Sequence, residues 1–210
     1  MNGFQHPEWG ILLVPNKCSS SYAQHLIPKE YHRKFKSDID YNSETKVWAI
    51  VRDPVEWYVS GWRYVRSGFI YENKDLTYNK NFEQHLEYCL EVRKIHNSTK
   101  RVYNQFDRHT WYNPYEQSYD FFNHIDKIIK LENQKRYNQV IAFFSDNATP
   151  TNAKNEYNLR TAQISNLRYY PKPTLTKNAI SLLKELDNWS YKAGYDLDES
   201  IKNYINTLCY

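Results

Sequence analysis

Gly10-Ile11-Leu12-Leu13-Val14-Pro15-Asn16-Lys17-Cys18-Ser19-Ser20-Ser21-Tyr22-Ala23 is the stretch from which the rest of the chain can be read. Ile11 to Val14 form an apolar run without alternation, the mark of a short strand buried on both faces, and Pro15 and Asn16 stop it. From Ser20 onward Tyr22, Ala23, Leu26 and Ile27 recur at helical spacing, and Pro28 closes that short helix. Strand, loop and helix in that order open an α/β unit. The loop brings one ammonium (Lys17), three hydroxyls (Ser19, Ser20 and Ser21) and backbone N–H groups to the start of a helix, which together make a cradle for phosphate. It contains no glycine and so is not a Walker A loop. Taken alone, Ser19 to Ser21 are better explained as helix caps.

A second apolar run, Val47-Trp48-Ala49-Ile50-Val51, is the next strand, and Arg52-Asp53-Pro54 ends it with Pro54 suited to be the first residue of a helix. Val55, Tyr58, Val59 and Trp62 mark one face of that helix. Arg52 leaves the strand end and Ser60 lies two turns down the helix. A planar guanidinium fork and a hydroxyl donor at that spacing suit one phosphate group beside the sheet, although a surface pair of Arg52 with Asp53 would account for the first residue. Further along, residues 73–81 read as a loop and Phe82 to Ile95 as an amphipathic helix. His109 to Pro114 is an irregular aromatic stretch, Tyr119, Phe122 and Ile125 suggest a short helix, and Lys127 to Leu131 form a third strand. Residues 145–158 read as a long loop and Ala179 to Leu186 as the last clear helix. Strands alternating with helices predict an α/β fold with a mostly parallel central sheet flanked by helices. With 210 residues and no internal repeat or linker, a single domain over residues 1–210 is expected.

Composition narrows the chemistry. The 20 Tyr and 6 Trp residues supply rings with polar handles, suited to walls that meet sugars or bases. The net charge of +4 arises from 28 basic against 24 acidic residues, so anionic ligands are only mildly favoured. Lys and Arg are scattered rather than gathered into a stripe, which makes nucleic acid a less favoured partner. Cys18, Cys89 and Cys209 are odd in number and widely spaced, fitting neither a disulfide framework nor a zinc site; a reducing compartment is expected. No apolar run is long enough for a signal core or a membrane span, so a soluble, cytoplasmic protein is expected, with no membrane partner.

The loop at Lys17 and the segment Arg52-Asp53-Pro54-Val55-Glu56-Trp57-Tyr58-Val59-Ser60 together resemble the sulfotransferases that use 3′-phosphoadenosine-5′-phosphosulfate (PAPS), particularly the branch containing carbohydrate sulfotransferases. In that family a strand leads into a loop P-K-x-G-x-[ST], matched here by Lys17 and Ser21, and a later R-D-P-x-x-R-x-x-S is matched by Arg52 and Ser60. Asp126-Lys127-Ile128-Ile129-Lys130-Leu131-Glu132 is similar to the family's D-x-I-x-x-[LF]-E strand. His109 and Gln117 stand where a segment with His and Gln precedes it. The resemblance runs from about Gly10 to Glu132. Asn16 is inserted between the family's Pro and Lys, Ser19 replaces the usual Gly, Trp57 replaces a common Arg, and His109, Pro114 and Gln117 are more widely spread than in the family. Were Ser19 required to take a positive φ, its side chain would cost about 1 kcal/mol or more.

The resemblance implies a P-loop-like three-layer fold and a metal-independent transfer of a sulfuryl group from PAPS to a hydroxyl acceptor, with a carbohydrate favoured, leaving 3′-phosphoadenosine-5′-phosphate. Lys17, Cys18, Ser19, Ser20 and Ser21 would hold the 5′-phosphosulfate, and Arg52 and Ser60 the 3′-phosphate. Lys17 would also stabilise charge in the transition state. His109 is the first candidate for the base; Glu132 is the other, or else it orients Lys17 or Arg52. Arg168 and Lys172 could close over the 3′-phosphate, although solvated loop charges explain them as well. The lack of a membrane anchor points to a bacterial, viral or otherwise cytoplasmic setting. Competing readings are a nucleotide-binding or kinase-like protein preferring ATP with Mg²⁺, a sulfotransferase fold without activity, and an interaction protein that binds single-stranded nucleic acid.

Overall fold

The computed structural model describes residues 2–15, 18–33, 44–66, 80–99, 125–146 and 171–209. The chain divides into two compact units, one joining Met1–Asp53 to Pro114–Ile164 and the other joining Pro54–Asn113 to Ser165–Tyr210.

The first unit is built on a five-stranded sheet. Its strands are β1 (Asn2–His6), β2 (Gly10–Val14), β3 (His32–Arg33), β4 (Val47–Val51) and β5 (Lys127–Lys130), in the spatial order β3-β1-β2-β4-β5. β2 and β4 lie inside the sheet, and Ile11 to Val14 and all five residues of β4 are buried, as unalternating apolar runs require. β4 pairs in parallel with β2 (Leu12 beside Trp48) and with β5 (Ile50 beside Ile129). β5 is an edge strand; it buries Ile129 and leaves Lys127 exposed over the Trp48 ring at 4.4 Å.

The expected mostly parallel sheet is corrected to a mixed one. β1 runs antiparallel to both β2 and β3, so two of the four strand pairings are antiparallel. The reason is local: the turn Pro7-Glu8-Trp9 folds β1 back on β2 as a hairpin, with His6 paired to Gly10. The His6 Nδ1 accepts the N–H groups of Glu8 (3.0 Å) and Trp9 (3.3 Å), holding that turn through a side chain. Among the described residues two α-helices belong to this unit. α1 (Ser20–Leu26) ends before Pro28, and α4 (Gln134–Phe144) buries Tyr137, Val140, Ile141 and Phe144, an i, i+3, i+4, i+7 stripe, with Asn133 capping the Arg136 N–H at 3.1 Å.

The described residues of the second unit form four α-helices: α2 (Pro54–Arg66), α3 (Phe82–Thr99), α5 (Lys177–Leu186) and α6 (Leu197–Leu208). Pro54 opens α2, as expected, and the helix buries Val55, Trp57, Tyr58, Val59 and Trp62. α3 starts with a reciprocal capping box, in which Asn81 Oδ1 accepts the Gln84 N–H (2.9 Å) while Gln84 Oε1 accepts the Asn81 N–H (3.0 Å). Thr176 caps α5 at the Ala179 N–H and Asp196 caps α6 at the Glu199 N–H. α3 packs on α5, and α2 on α6. The chain is thus α/β, with a mixed five-stranded sheet flanked by helices. Among the described residues no helix is long and apolar enough to cross a membrane.

Candidate functional site

Because β2, β4 and β5 run parallel, their carboxyl ends lie at the same end of the sheet. Open α/β sheets bind ligands outside the carboxyl ends of such strands, where loops gather and backbone groups lose their ladder partners. Three segments leave the sheet there: Pro15 to Ser21 after β2, Arg52-Asp53 after β4, and Leu131-Glu132 after β5.

The last two are joined. The Leu131 N–H donates to the Val51 carbonyl at 2.8 Å, one rung beyond β5, and the Asp53 N–H donates to Glu132 Oε1 at 2.8 Å. Arg52 and Asp53 are half-buried and Glu132 is exposed. Arg52 and Glu132, 80 positions apart in sequence, therefore stand on adjoining strand ends.

The first segment makes a tight entry into α1. The Cys18 N–H donates to the Pro15 carbonyl at 3.1 Å, and the Cys18 side chain is fully buried. Ser19 follows at φ 65°, ψ 25°, in the left-handed region, and its carbonyl accepts the Ala23 N–H at 3.1 Å to start the helix. The Ser19 hydroxyl makes no capping bond. Helix capping therefore does not account for Ser19, although its hydroxyl is the group such a cap would use. Ser20 and Ser21 are the first two residues of α1.

The remaining sequence-derived candidates fall in different places. Lys17, His109, Gln117 and Arg168 lie outside the described residues. Ser60 is on α2, half-buried, in the second unit. Trp57, where the resembled pattern often has Arg, is fully buried with its ring edge-on to Tyr58 at 4.9 Å, and so is a core residue. The Lys172 ammonium pairs with Glu56 at 2.5 Å and lies 5.3 Å over the Tyr204 ring.

Two polar clusters were not anticipated from the sequence. At the opposite end of the sheet, His6 Nε2 and Asp146 Oδ1 are 2.8 Å apart, and the Tyr31 hydroxyl donates to Asp146 Oδ2 at 3.0 Å. Since Nδ1 accepts two backbone N–H groups, Nε2 carries the proton and donates it to the carboxylate. Both imidazole nitrogens are thereby engaged. The bonds from His6 and then Tyr31 hold the Asp146 carboxyl below its ordinary range, and the same bond raises the Tyr31 phenol. In the second unit His85 Nε2 lies 3.6 Å from Cys89 Sγ; burial, assisted by the charge of Lys80, pushes the imidazole down to about 3. Burial raises the Cys89 thiol far above its ordinary range, so neither group is a reactive centre at neutral pH.

No protein-family model matches the chain, and neither a curated protein nor a solved structure does so.

Proposed function

We propose that the protein is a PAPS-dependent sulfotransferase acting on a hydroxyl acceptor, with a carbohydrate as the favoured acceptor class. The observation that carries the reading is the backbone of Ser19. The resembled loop, P-K-x-G-x-[ST], has glycine at this one position, the residue that takes a left-handed backbone without strain, and Ser19 is left-handed here. Among the described residues only Ser19 and Asp146 are non-glycine residues with positive φ. A second support is the convergence of the Ser19 loop, Arg52 and Glu132 on the carboxyl ends of three parallel strands.

The residues suit a ligand with two separated anionic groups. Lys17, the loop N–H groups and the hydroxyls of Ser19, Ser20 and Ser21 would hold a 5′-phosphosulfate. Arg52 would hold a 3′-phosphate, with Ser60 assigned to the same group by the resemblance. When bound, PAPS supplies the sulfuryl group. Lys17 would supply positive charge where the leaving phosphate gathers negative charge. His109 takes the proton from the acceptor hydroxyl, a task suited to an imidazole near its ordinary pKa.

Thermal unfolding in the presence of 3′-phosphoadenosine-5′-phosphate, compared with ATP and Mg²⁺, tests the proposal. A ligand at a hundred times its Kd stabilises the native state by about 2.7 kcal/mol, enough for a clear rise in Tm. The proposal expects that rise with the 3′-phosphorylated nucleotide, and its loss in Lys17→Ala and Arg52→Ala. A response to ATP with Mg²⁺ alone would move the assignment to a kinase-like protein.

A further inference from the structure

Any phosphate site at Arg52 depends on where β4 delivers that residue. Val51 ends β4 with its carbonyl occupied by the Leu131 N–H, the last backbone rung between β4 and β5. Beyond it the pairing changes character: the Asp53 N–H, which has left the ladder, is taken by the side-chain oxygen Oε1 of Glu132 at 2.8 Å. An ionised carboxylate is a stronger acceptor than the water that such a strand-end N–H would otherwise meet. Arg52 therefore sits between two fixed points, the last ladder residue before it and an anchored N–H after it.

We infer that Glu132 is a positioning residue for Arg52, its carboxylate fixing the Arg52-Asp53 turn from which the guanidinium fork is presented to a phosphate group. The inference rests on the proposed reading for the identity of the ligand but not for the contact itself. Charge points the same way. A carboxylate at the end of the sheet where a phosphate is to bind repels the ligand, so the gain from Glu132 lies in geometry and not in its charge. The role of base then rests with His109.

The two roles separate on substitution. Glu132→Gln keeps a carbonyl oxygen able to accept the Asp53 N–H and removes the charge; Glu132→Ala removes both. Calorimetry with 3′-phosphoadenosine-5′-phosphate is expected to show affinity about tenfold weaker in Glu132→Ala and within about twofold of wild type in Glu132→Gln. Independently, the Asp53 amide proton resonance should move as the Glu132 carboxylate is titrated with acid, and that component should vanish in Glu132→Gln, which leaves the Asp53 side chain in place. Equal loss of affinity in both variants, or an Asp53 amide that titrates identically in wild type and Glu132→Gln, overturns the inference. Should wild type bind no nucleotide, the sulfotransferase reading fails by itself, while the amide titration still decides whether Glu132 anchors the turn.

Discussion

At the scale of single residues, Ser19 bears the most weight. A side chain in the left-handed region costs about 1–2 kcal/mol, and glycine removes that cost while adding some chain entropy to the unfolded state. Ser19→Gly is therefore expected to raise stability by up to about 1 kcal/mol in urea unfolding; a loss of stability would mean that the φ of 65° is not held in solution. The requirement was legible in the sequence only as a condition, because aligning Ser19 with a glycine says where a positive φ would fall but not that the chain adopts it. His85 was not legible at all, since its burial comes from the packing of α3. Its pKa of about 3 in the folded chain lies below the 6.5 of an unperturbed imidazole, so the unfolded state binds more protons between those values. Stability should fall as pH drops through 6.5, by about 2 kcal/mol between pH 7 and pH 5 at 1.36 kcal/mol per pH unit. His85→Leu should abolish that part of the slope in urea unfolding at the two pH values. The carboxyl groups held low, Asp146 and Glu83, act in a separate window below the ordinary carboxylate range, where their stabilisation is lost with acid.

At the scale of elements, the strands buried on both faces were the readable ones. β2 and β4 are unbroken apolar runs, β2 stopped by Pro15 and β4 followed by the charged pair Arg52-Asp53, and no helix of that length competes for them. β1 was not read, because Asn2 to His6 contains one large apolar side chain, Phe4, and is held by hairpin pairing and by His6 accepting the turn N–H groups. α4 and α6 escaped for a related reason: their buried faces carry residues with polar groups, Tyr137 in α4, and Ser200 and Tyr204 beside Ile201 in α6. One glycine decides how closely β2 and β4 can be joined. Gly10 has φ 84°, and a Cβ there would stand 2.3 Å from the Lys46 carbonyl oxygen, which accepts the Ile11 N–H. Gly10→Ala combines left-handed strain with a backbone clash and should destabilise the protein by about 3 kcal/mol on chemical denaturation. A change below about 0.5 kcal/mol, ordinary for a surface substitution, would show that this crossing is looser than described.

At the scale of the whole molecule, the parallel part of the sheet places the candidate site and the antiparallel part extends the sheet on the far side of β2. The alternation of strands and helices in the sequence announced the α/β class. It could not announce the mixed sheet, because whether two strands run parallel is settled by the connection between them and not by their own composition. The site was legible in the same partial way. Arg52 and Glu132 could each be picked out as residues at strand ends, yet their adjacency follows from β4 and β5 being neighbours, a fact of topology that no spacing along the chain contains.

The central claim is that the loop before α1 and the end of β4 bind a 3′-phosphorylated adenine nucleotide, and calorimetric titration with 3′-phosphoadenosine-5′-phosphate tests it most directly. The account predicts saturable binding by the wild-type protein and loss of binding in both Lys17→Ala and Arg52→Ala. Absence of binding at millimolar ligand, or binding untouched by either substitution, would contradict it.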